Sequence, residues 1–381
     1  MSRALLLLPL LAACQAPDSS AMFNDVQLSV SDATGVSDAF VATIEGATRT
    51  LHVALPAGQD AVVGDAILAA WQSGLDVKVV ADFDDASSPA IAPLIADGVP
   101  VTLADGPVGY FDFALNKDVS WPSTEVRMSH AFVVADHRDL VSATSAGTLD
   151  AGARVLLQAR GEELVEDVLT EHNQLFGGAD ATAMTAYNSP QKSVADFRWV
   201  YPGTSDAVVE MWLGPQERLT KRIIDAVYGA RSSVWVLSAD VQNEGFAKAL
   251  QDKAAWTKLD GTGPAFDMRV VVGPNFVGGG GTQGAVLLTG TPNVGKRRSS
   301  DAVVPTIIIV DADAPDGLEA KAFMLTHEMV SSSRIYRSSE VMNDQLIDGT
   351  LWVIDDWGAQ SPELTALRGL WDDQWNRGEA L

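Results

Sequence analysis

Two short apolar segments of the chain each end in an aspartate, and a histidine lies just before the first of them. Residues 132–136 read Phe-Val-Val-Ala-Asp, and residues 307–311 read Ile-Ile-Ile-Val-Asp. A histidine precedes the first segment by two residues, and another follows the second segment. An imidazole can attack an electrophile or transfer a proton, and a carboxylate can orient it. The sequence assigns no complete catalytic set; His130, Asp136, Asp311 and His327 are the candidates if the chain acts as an enzyme.

The two segments belong to halves of the chain that repeat the same order of predicted elements. In the first half, apolar residues recur at helical spacing over residues 36–47, and an alternating strand follows. The second half has the same order, beginning with a helix at residues 218–230. Gly46 and Gly229 end the two helices at an offset of 183 residues. This internal repeat indicates a gene duplication.

Each half closes with an acidic amphipathic helix ending near an aromatic residue. The first repeat is predicted over residues 23–178 and the second over residues 206–381. Residues 179–205, rich in Ala, Thr, Ser and Pro, form the predicted linker. Strands alternating with helices predict the α/β class, with a mixed, mainly parallel sheet flanked by helices in each of two fused lobes.

The order of these segments resembles the core of the phospholipase D superfamily. That family carries H-x-K-x-x-x-x-D, a hairpin and G-S-x-N, once in each of two fused halves. Here residues 140–147 follow the first segment as Leu-Val-Ser-Ala-Thr-Ser-Ala-Gly, and residues 321–329 follow the second as its hairpin. The resemblance covers nearly the whole mature chain and implies two phospholipase D-like lobes. It also implies an attacking histidine, a second histidine that protonates the leaving group, and lysines and asparagines that hold the phosphoryl oxygens.

All six phosphate-handling positions of that motif are replaced in this chain. When Asp136 and Asp311 are aligned with the motif aspartates, the His, Lys and Asn positions hold Ser129, Ala131 and Gly147 in the first half and Val304, Thr306 and Met329 in the second. An aspartate alone neither attacks a phosphodiester nor neutralises its charge. The resemblance therefore implies the fold without the family's catalytic groups.

A small cleft would remain, with few polar groups available for binding. His130 stands one residue from the motif position, so strand alternation would point its side chain away from the cleft unless a β-bulge intervened. Arg127 shares a face with Ser129 and is a candidate anion contact. Together with Ser145 and Thr306, these residues are the candidate substrate-binding set.

The other candidate ligand groups favour structural roles. His52 is predicted to pack within a strand, His137 to lie in a solvated turn, and His172 to lie on a polar helix face. No metal site and no cofactor are expected, because the acidic clusters lack the spacing of a calcium loop and the chain has one cysteine. The glycine-rich, basic residues 278–300 lack phosphate-loop spacing and favour a flexible surface loop, with an anion-binding loop as the alternative.

The charge balance excludes whole classes of partner. The chain of 381 residues has 26 Lys and Arg against 50 Asp and Glu, a formal net charge of −24. Nucleic-acid binding depends on clusters of basic residues that displace counterions. No nucleic-acid partner is therefore expected, and the acidic body should stand away from an anionic membrane surface.

The N-terminal residues have the pattern of a targeting sequence. Residues 1–13 have an early arginine, a short apolar run and small residues, as in a secretory signal peptide. Leu-Ala-Ala-Cys at residues 11–14 resembles the bacterial lipoprotein box, which would make Cys14 the lipidated N-terminus and residues 14–22 a tether. The predicted location is the bacterial cell envelope, anchored through lipid, on the outer membrane facing the periplasm.

Three functional hypotheses follow. The first is a lipid-anchored protein that has lost catalysis and acts by binding or scaffolding, with a phospholipid or an envelope protein as its partner. The second is a phosphodiesterase or phosphatidyltransferase acting on phospholipid through displaced residues. The third is a structural envelope protein whose partner surface lies on the outer helices or on residues 278–300.

Overall fold

The computed structural model describes most of the chain after the N-terminal segment. The described residues are 23–56, 58–104, 109–112, 117–120, 127–144, 152–183, 198–202, 207–214, 217, 219–239, 241, 243–255, 266–274, 276, 283–291, 293–301, 305–312, 319–325, 347–348, 350–356 and 361–381.

The first lobe alternates strands with helices before a hairpin and a closing helix. Its elements are β1 (Phe23–Ser31), α1 (Ala33–Glu45), β2 (Thr50–Leu55), α2 (Ala61–Gln72), β3 (Asp76–Asp82), a 3₁₀ turn (Phe83–Asp85), α3 (Ala92–Ala96), β4 (Val101–Ala104), β5 (Gly109–Asp112), β6 (Lys117–Ser120), β7 (Arg127–Met128), β8 (Phe132–Ala135), β9 (Asp139–Ala143), β10 (Arg154–Arg160) and α4 (Glu162–Phe176).

The second lobe repeats this order. Its elements are β11 (Arg198–Pro202), β12 (Val208–Leu213), α5 (Leu219–Gly229), β13 (Ser233–Ser238), α6 (Glu244–Ala254), β14 (Asp267–Val272), α7 (Gln283–Gly290), β15 (Gly295–Arg298), β16 (Thr306–Val310), β17 (Ala320–Leu325), β18 (Ile347–Asp348), β19 (Thr350–Asp356), α8 (Pro362–Arg377) and β20 (Glu379–Ala380).

Local sequence sets several helix boundaries. The Asp32 carboxylate accepts a hydrogen bond from the backbone N–H of Gly35 and so caps α1. The Ser361 hydroxyl caps α8 in the same way, with Pro362 at the first helical position. α4 ends at Gly177, which adopts a left-handed φ of 99° that glycine accommodates without strain.

Most of the described strands form one order that passes through both lobes: β20-β15-β14-β13-β16-β17-β19-β12-β11-β1-β10-β9-β8-β2-β3-β4. The remaining four form two short pairs, β5 with β6 and β7 with β18. Strands of the two lobes pair at β1 with β11 and at β7 with β18, over two residue pairs each. The α/β class and the two mixed sheets are confirmed. The expectation of mainly parallel sheets is wrong, however, because most of the described strand pairs are antiparallel.

Whether a strand pair is parallel or antiparallel depends on the segment that connects its two strands. Helical crossovers make β2-β3-β4 and β13-β14-β15 parallel, as the alternating pattern predicts. The hairpins β8-β9 and β16-β17, and the strands that flank them, add antiparallel pairs.

Apolar side chains form three clusters. One lies within the first lobe and one within the second. The third is a seam shared by the two lobes. We use "seam" for this cluster, whose members include Phe132, Val134, Leu140 and Leu157 from the first lobe and Ile307, Ile309, Met324 and Trp352 from the second. Burial of this apolar surface holds the lobes together.

Candidate functional site

Asp136 anchors the backbone that enters β2. Its carboxylate accepts hydrogen bonds from the backbone N–H groups of Thr48, Arg49 and Thr50 at 2.9, 2.7 and 3.0 Å, and from the Thr48 hydroxyl at 2.7 Å. Partial burial opposes ionisation, but these hydrogen bonds outweigh it and hold the pKa of Asp136 well below its ordinary value. The Asp136 carboxylate therefore has a structural role, because it fixes the backbone at the start of β2.

Asp311 makes the same anchor in the second lobe. Its carboxylate accepts from the backbone N–H groups of Arg231 and Ser232, each at 2.7 Å, and from that of Ser233 at 3.5 Å. Both aspartates also adopt a left-handed backbone conformation, with φ of 53° and 54°. The hydrogen bonds to their carboxylates hold this conformation in place. The donors of the two anchors are 183 residues apart, the offset of the repeat.

The motif positions around these aspartates are enclosed where the structure describes them. Ser129, Ala131 and Thr306 are all buried, and the Thr306 hydroxyl lies 3.3 Å from the Ser238 hydroxyl. Arg127 lies in β7, but its side chain is not among the described side chains. Five predicted positions fall outside the described residues: Ser145, Gly147, Val304, His327 and Met329.

His130 lies between the two lobes rather than pointing away from them. It is fully buried; its Nε2 lies 3.0 Å from Glu171 Oε1 on α4, and its Nδ1 lies 2.8 Å from the Thr350 hydroxyl on β19 of the second lobe. The alternation argument does not apply, because residues 129–131 precede β8 and are not in a strand. His130 therefore bridges the lobes.

This carboxylate, imidazole and hydroxyl have the order of a nucleophilic triad, but not its access. Glu171 and His130 are fully buried, and Thr350 is 2% exposed. A nucleophile must reach the substrate, so a sealed hydroxyl is better suited to holding the lobes in register. Trp352 reinforces the same seam, since its indole N–H lies 3.4 Å from the Ser142 hydroxyl of the first lobe.

Sequence reasoning missed these partners. Glu171 reads as one acid on an amphipathic helix, and Thr350 as one strand residue. They lie 41 and 220 residues from His130 in the chain. The available signal was a carboxylate at an apolar position of α4, and it was not specific, because Asp167 is also buried on that helix.

The remaining described histidines cluster in the first lobe. His52 is buried within β2, as predicted. The expectation for His172 is wrong, because its ring is fully buried and stacks on Phe176 rather than facing solvent. His137 is exposed in its turn and makes an edge contact with the His52 ring at 5.2 Å. Among the described residues, no group of three potential ligands is placed to hold a metal ion.

The basic residues after the glycine run belong to secondary structure, which corrects the expectation of a flexible loop there. Residues 283–290 form α7, and β15 carries Lys296, Arg297 and Arg298. Arg297 donates to the Trp375 carbonyl at 2.8 Å, and Arg298 donates to the Phe276 carbonyl at 3.1 Å. Both guanidinium groups thus donate hydrogen bonds to backbone carbonyls of the second lobe. Because they are engaged in this way, the structure does not favour the alternative prediction of an anion-binding loop.

Comparison with known proteins identifies the fold. No protein-family model and no curated protein sequence matches the chain. Phosphatidylserine synthase of Haemophilus influenzae Rd KW20 superposes with a TM-score of 0.59 and 12% identity, over 94% of this chain and 87% of that chain. Polyphosphate kinase from Porphyromonas gingivalis superposes with a TM-score of 0.54 and 11% identity, over 92% of this chain. Our chain spans 47% of that kinase.

A third solved structure, Nuc from Salmonella typhimurium, is described as a phospholipase D family member; it matches 42% of this chain at 16% identity with a TM-score of 0.31. The chain has the phospholipase D-like fold, and the resemblance inferred from motif order is confirmed at that level. At sequence identities of 11% and 12%, these superpositions show a shared fold and no more than that. Among the described residues, no helix is long and apolar enough to span a membrane.

Proposed function

We propose that this protein is a lipid-anchored protein of the bacterial envelope that uses a phospholipase D-like fold for binding or scaffolding rather than for catalysis. Its partner would be a phospholipid or another envelope protein. The observation that carries the proposal is the state of His130, which is fully buried with both ring nitrogens engaged by Glu171 and Thr350.

The residues at the motif positions support the same proposal. The two motif aspartates that remain accept hydrogen bonds from backbone N–H groups. Ser129, Ala131 and Thr306 supply neither an imidazole nor a cation where the family chemistry needs them. Phosphoryl transfer depends on a nucleophile, an acid and cationic stabilisation in one cleft, so this arrangement favours loss of activity.

Phosphodiester turnover tests the catalytic half of the proposal. The full chain carrying Cys14→Ser would be assayed with a chromogenic phosphodiester and with phospholipid vesicles. The matched control is the same chain with His130→Ala and His327→Ala. We expect equal background rates. Turnover that disappears in a control whose circular dichroism and unfolding curve show an intact fold would instead establish an enzyme acting through displaced residues.

Metabolic labelling tests the anchor. Cells fed a labelled fatty acid should incorporate label into the wild-type chain, and the chain should sediment with membranes. The Cys14→Ser variant should lose both properties. Label retained in that variant would place the acylation elsewhere and refute the assignment of Cys14.

A further inference from the structure

The second lobe contains a stack of tryptophans capped by an arginine. Trp235 on β13 stacks on Trp371 of α8 with ring centroids 4.7 Å apart, and Trp371 stacks on Trp375 at 5.2 Å. The Arg269 guanidinium lies 5.2 Å from the Trp235 ring and 5.6 Å from the Trp375 ring. Stacked aromatics and a cation of this kind hold α8 against the sheet.

The first lobe places two histidines and a phenylalanine in the corresponding positions. His52 on β2 contacts His172 of α4 edge-to-face, with ring centroids 5.0 Å apart and an interplanar angle of 90°, and His172 stacks on Phe176 at 5.8 Å. The Lys78 ammonium lies 5.9 Å from the Phe176 ring. This set, which we call the histidine stack, holds α4 against its sheet.

Strand register shows that the stacks are equivalent. His52 pairs with Lys78 across β2 and β3, and Trp235 pairs with Arg269 across β13 and β14. His52 and Trp235 are 183 residues apart, the repeat offset. In both helices the second and third aromatics are four residues apart, and their stacked rings are nearly parallel, at 14° and 16°.

The helix ends are also held alike. The Phe176 carbonyl accepts from the Thr102 hydroxyl on β4 at 3.4 Å. The Trp375 carbonyl accepts from the Arg297 guanidinium on β15, the equivalent strand, at 2.8 Å. Two of the three equivalent aromatic positions therefore carry imidazoles in the first lobe and indoles in the second.

Imidazoles differ from indoles because they take up protons near neutral pH. Burial, the neighbouring His137 and Lys78 lower the pKa of His52 to about 4, although Asp76 acts in the opposite direction. Burial and then His52 hold the pKa of His172 well below its ordinary value. These charged and titratable groups come from β3, from the turn after β8 and from α4, so a proton on either ring would face cations.

We propose that the histidine stack is an acid-sensitive latch that holds α4 on the first lobe and releases it as pH falls, while the tryptophan stack keeps α8 in place. The inference is independent of the proposed function. Glu171 lies beside His172 on α4, so release of α4 would also withdraw Glu171 from His130 and open the seam.

The sign of the effect follows from linkage. A histidine whose pKa is lowered by folding binds protons more readily when unfolded or released. Stability is therefore complete above about pH 6.5 and decreases as pH falls towards 4, the folded pKa of His52. For His52 alone, the opening equilibrium should increase roughly 50-fold between pH 7 and 4.5.

Hydrogen exchange with mass spectrometry, corrected for intrinsic rates, resolves the lobes. The full chain carrying Cys14→Ser would be compared at pH 7 and 4.5. Peptides from β2, β3 and α4 should lose roughly 50-fold of their protection, and those from β13, β14 and α8 less than about fivefold. The His52→Phe, His172→Phe variant should keep α4 protected. Equal loss in both lobes, or loss that persists in this variant, would overturn the proposal.

A milder variant guards against misfolding of the double substitution. His137→Asn keeps a residue type that tolerates the left-handed φ of 57° at this exposed position. Because it removes the side chain that, after burial, most lowers the pKa of His52, it should move the midpoint of α4 opening to lower pH. Trp235→His in the second lobe should give the converse result, with new acid sensitivity in α8. An unchanged midpoint in the first variant and no new sensitivity in the second would count against the latch.

Discussion

The two lobes keep the same backbone anchors and differ in the side chains around them. Asp136 and Asp311 each fasten the segment that enters an equivalent strand, with the same donors and the same left-handed φ. The aromatic set under the closing helix, by contrast, is made of two histidines and a phenylalanine in one lobe and of three tryptophans in the other.

A reversed ion pair shows the same difference. At the base of the first hairpin, Asp139 on β9 pairs with Arg160 on β10, with Oδ1 and Nε 2.5 Å apart. At the equivalent place in the second lobe, Lys321 on β17 pairs with Asp355 on β19 at 2.7 Å. The charges have exchanged strands. What the fold requires here is complementarity, whereas the aspartate anchors require one residue type.

The largest effect should come from breaking an anchor. Asp311→Ala leaves part-buried backbone N–H groups without their acceptor, so it should cost about 3 kcal/mol of unfolding free energy. Asp136→Ala should cost less, about 2 kcal/mol, because most of its donors are exposed and water can replace the carboxylate. Asp225→Ala, an exposed carboxylate, is the control and should cost under about 0.5 kcal/mol. Urea denaturation measures all three, and a near-neutral Asp311→Ala would contradict the anchoring role.

The next effect concerns the bridge between lobes. Register places Thr350 where the first lobe has Val155. Thr350→Val should cost about 2 kcal/mol, because His130 loses its hydroxyl partner inside the seam. Thr350→Ser keeps a hydroxyl and should cost less. Denaturation curves for both variants test the bridge, which would be refuted by a valine variant as stable as the serine variant.

A pH effect of opposite sign should appear in the second lobe. Burial raises the pKa of Asp355 to about 6, with Glu319 beside the same lysine. A carboxyl with a raised folded pKa binds protons more readily in the folded state, so the contribution of Asp355 to stability rises by about 1 kcal/mol as pH falls from 7 to 5, against the loss expected from His52. Asp355→Asn should therefore lose about 1 kcal/mol more than wild type over this range. Unfolding free energies of both proteins at pH 7 and 5 provide the test, and an equal pH dependence in the variant would contradict the role of Asp355.

The smallest effect should come from reversing the first-lobe ion pair. The Arg160 side chain is 61% exposed, so its pair with Asp139 contributes little. The double variant Asp139→Lys, Arg160→Asp reproduces the arrangement of the second lobe and should lie within about 0.5 kcal/mol of wild type. Arg160→Asp alone places like charges together and should cost about 1 kcal/mol. If reversal costs more than the single change, complementarity is not the requirement.

Much of the fold was predictable because it rests on local pattern. Helical and strand periodicity identified α1, α5 and the strands after them, and the 183-residue offset identified the duplication. The predominance of antiparallel pairs was not predicted, since it depends on which strands flank the hairpins. The acidic helix before Phe176 was found, but not the burial of His172 on it, because amphipathic pattern ranks histidine as polar.

The sequence by itself determined that the chain is a duplicated α/β protein, that Asp136 and Asp311 occupy equivalent places, and that the six phosphate-handling positions of the resembling family hold other residues. Only the tertiary structure decided what His130 does. Its partners come from a helix 41 residues away and a strand 220 residues away, and periodicity carries no information about such distant contacts. The same reason applies to the histidine and tryptophan stacks, whose members meet only when the closing helices pack on their sheets.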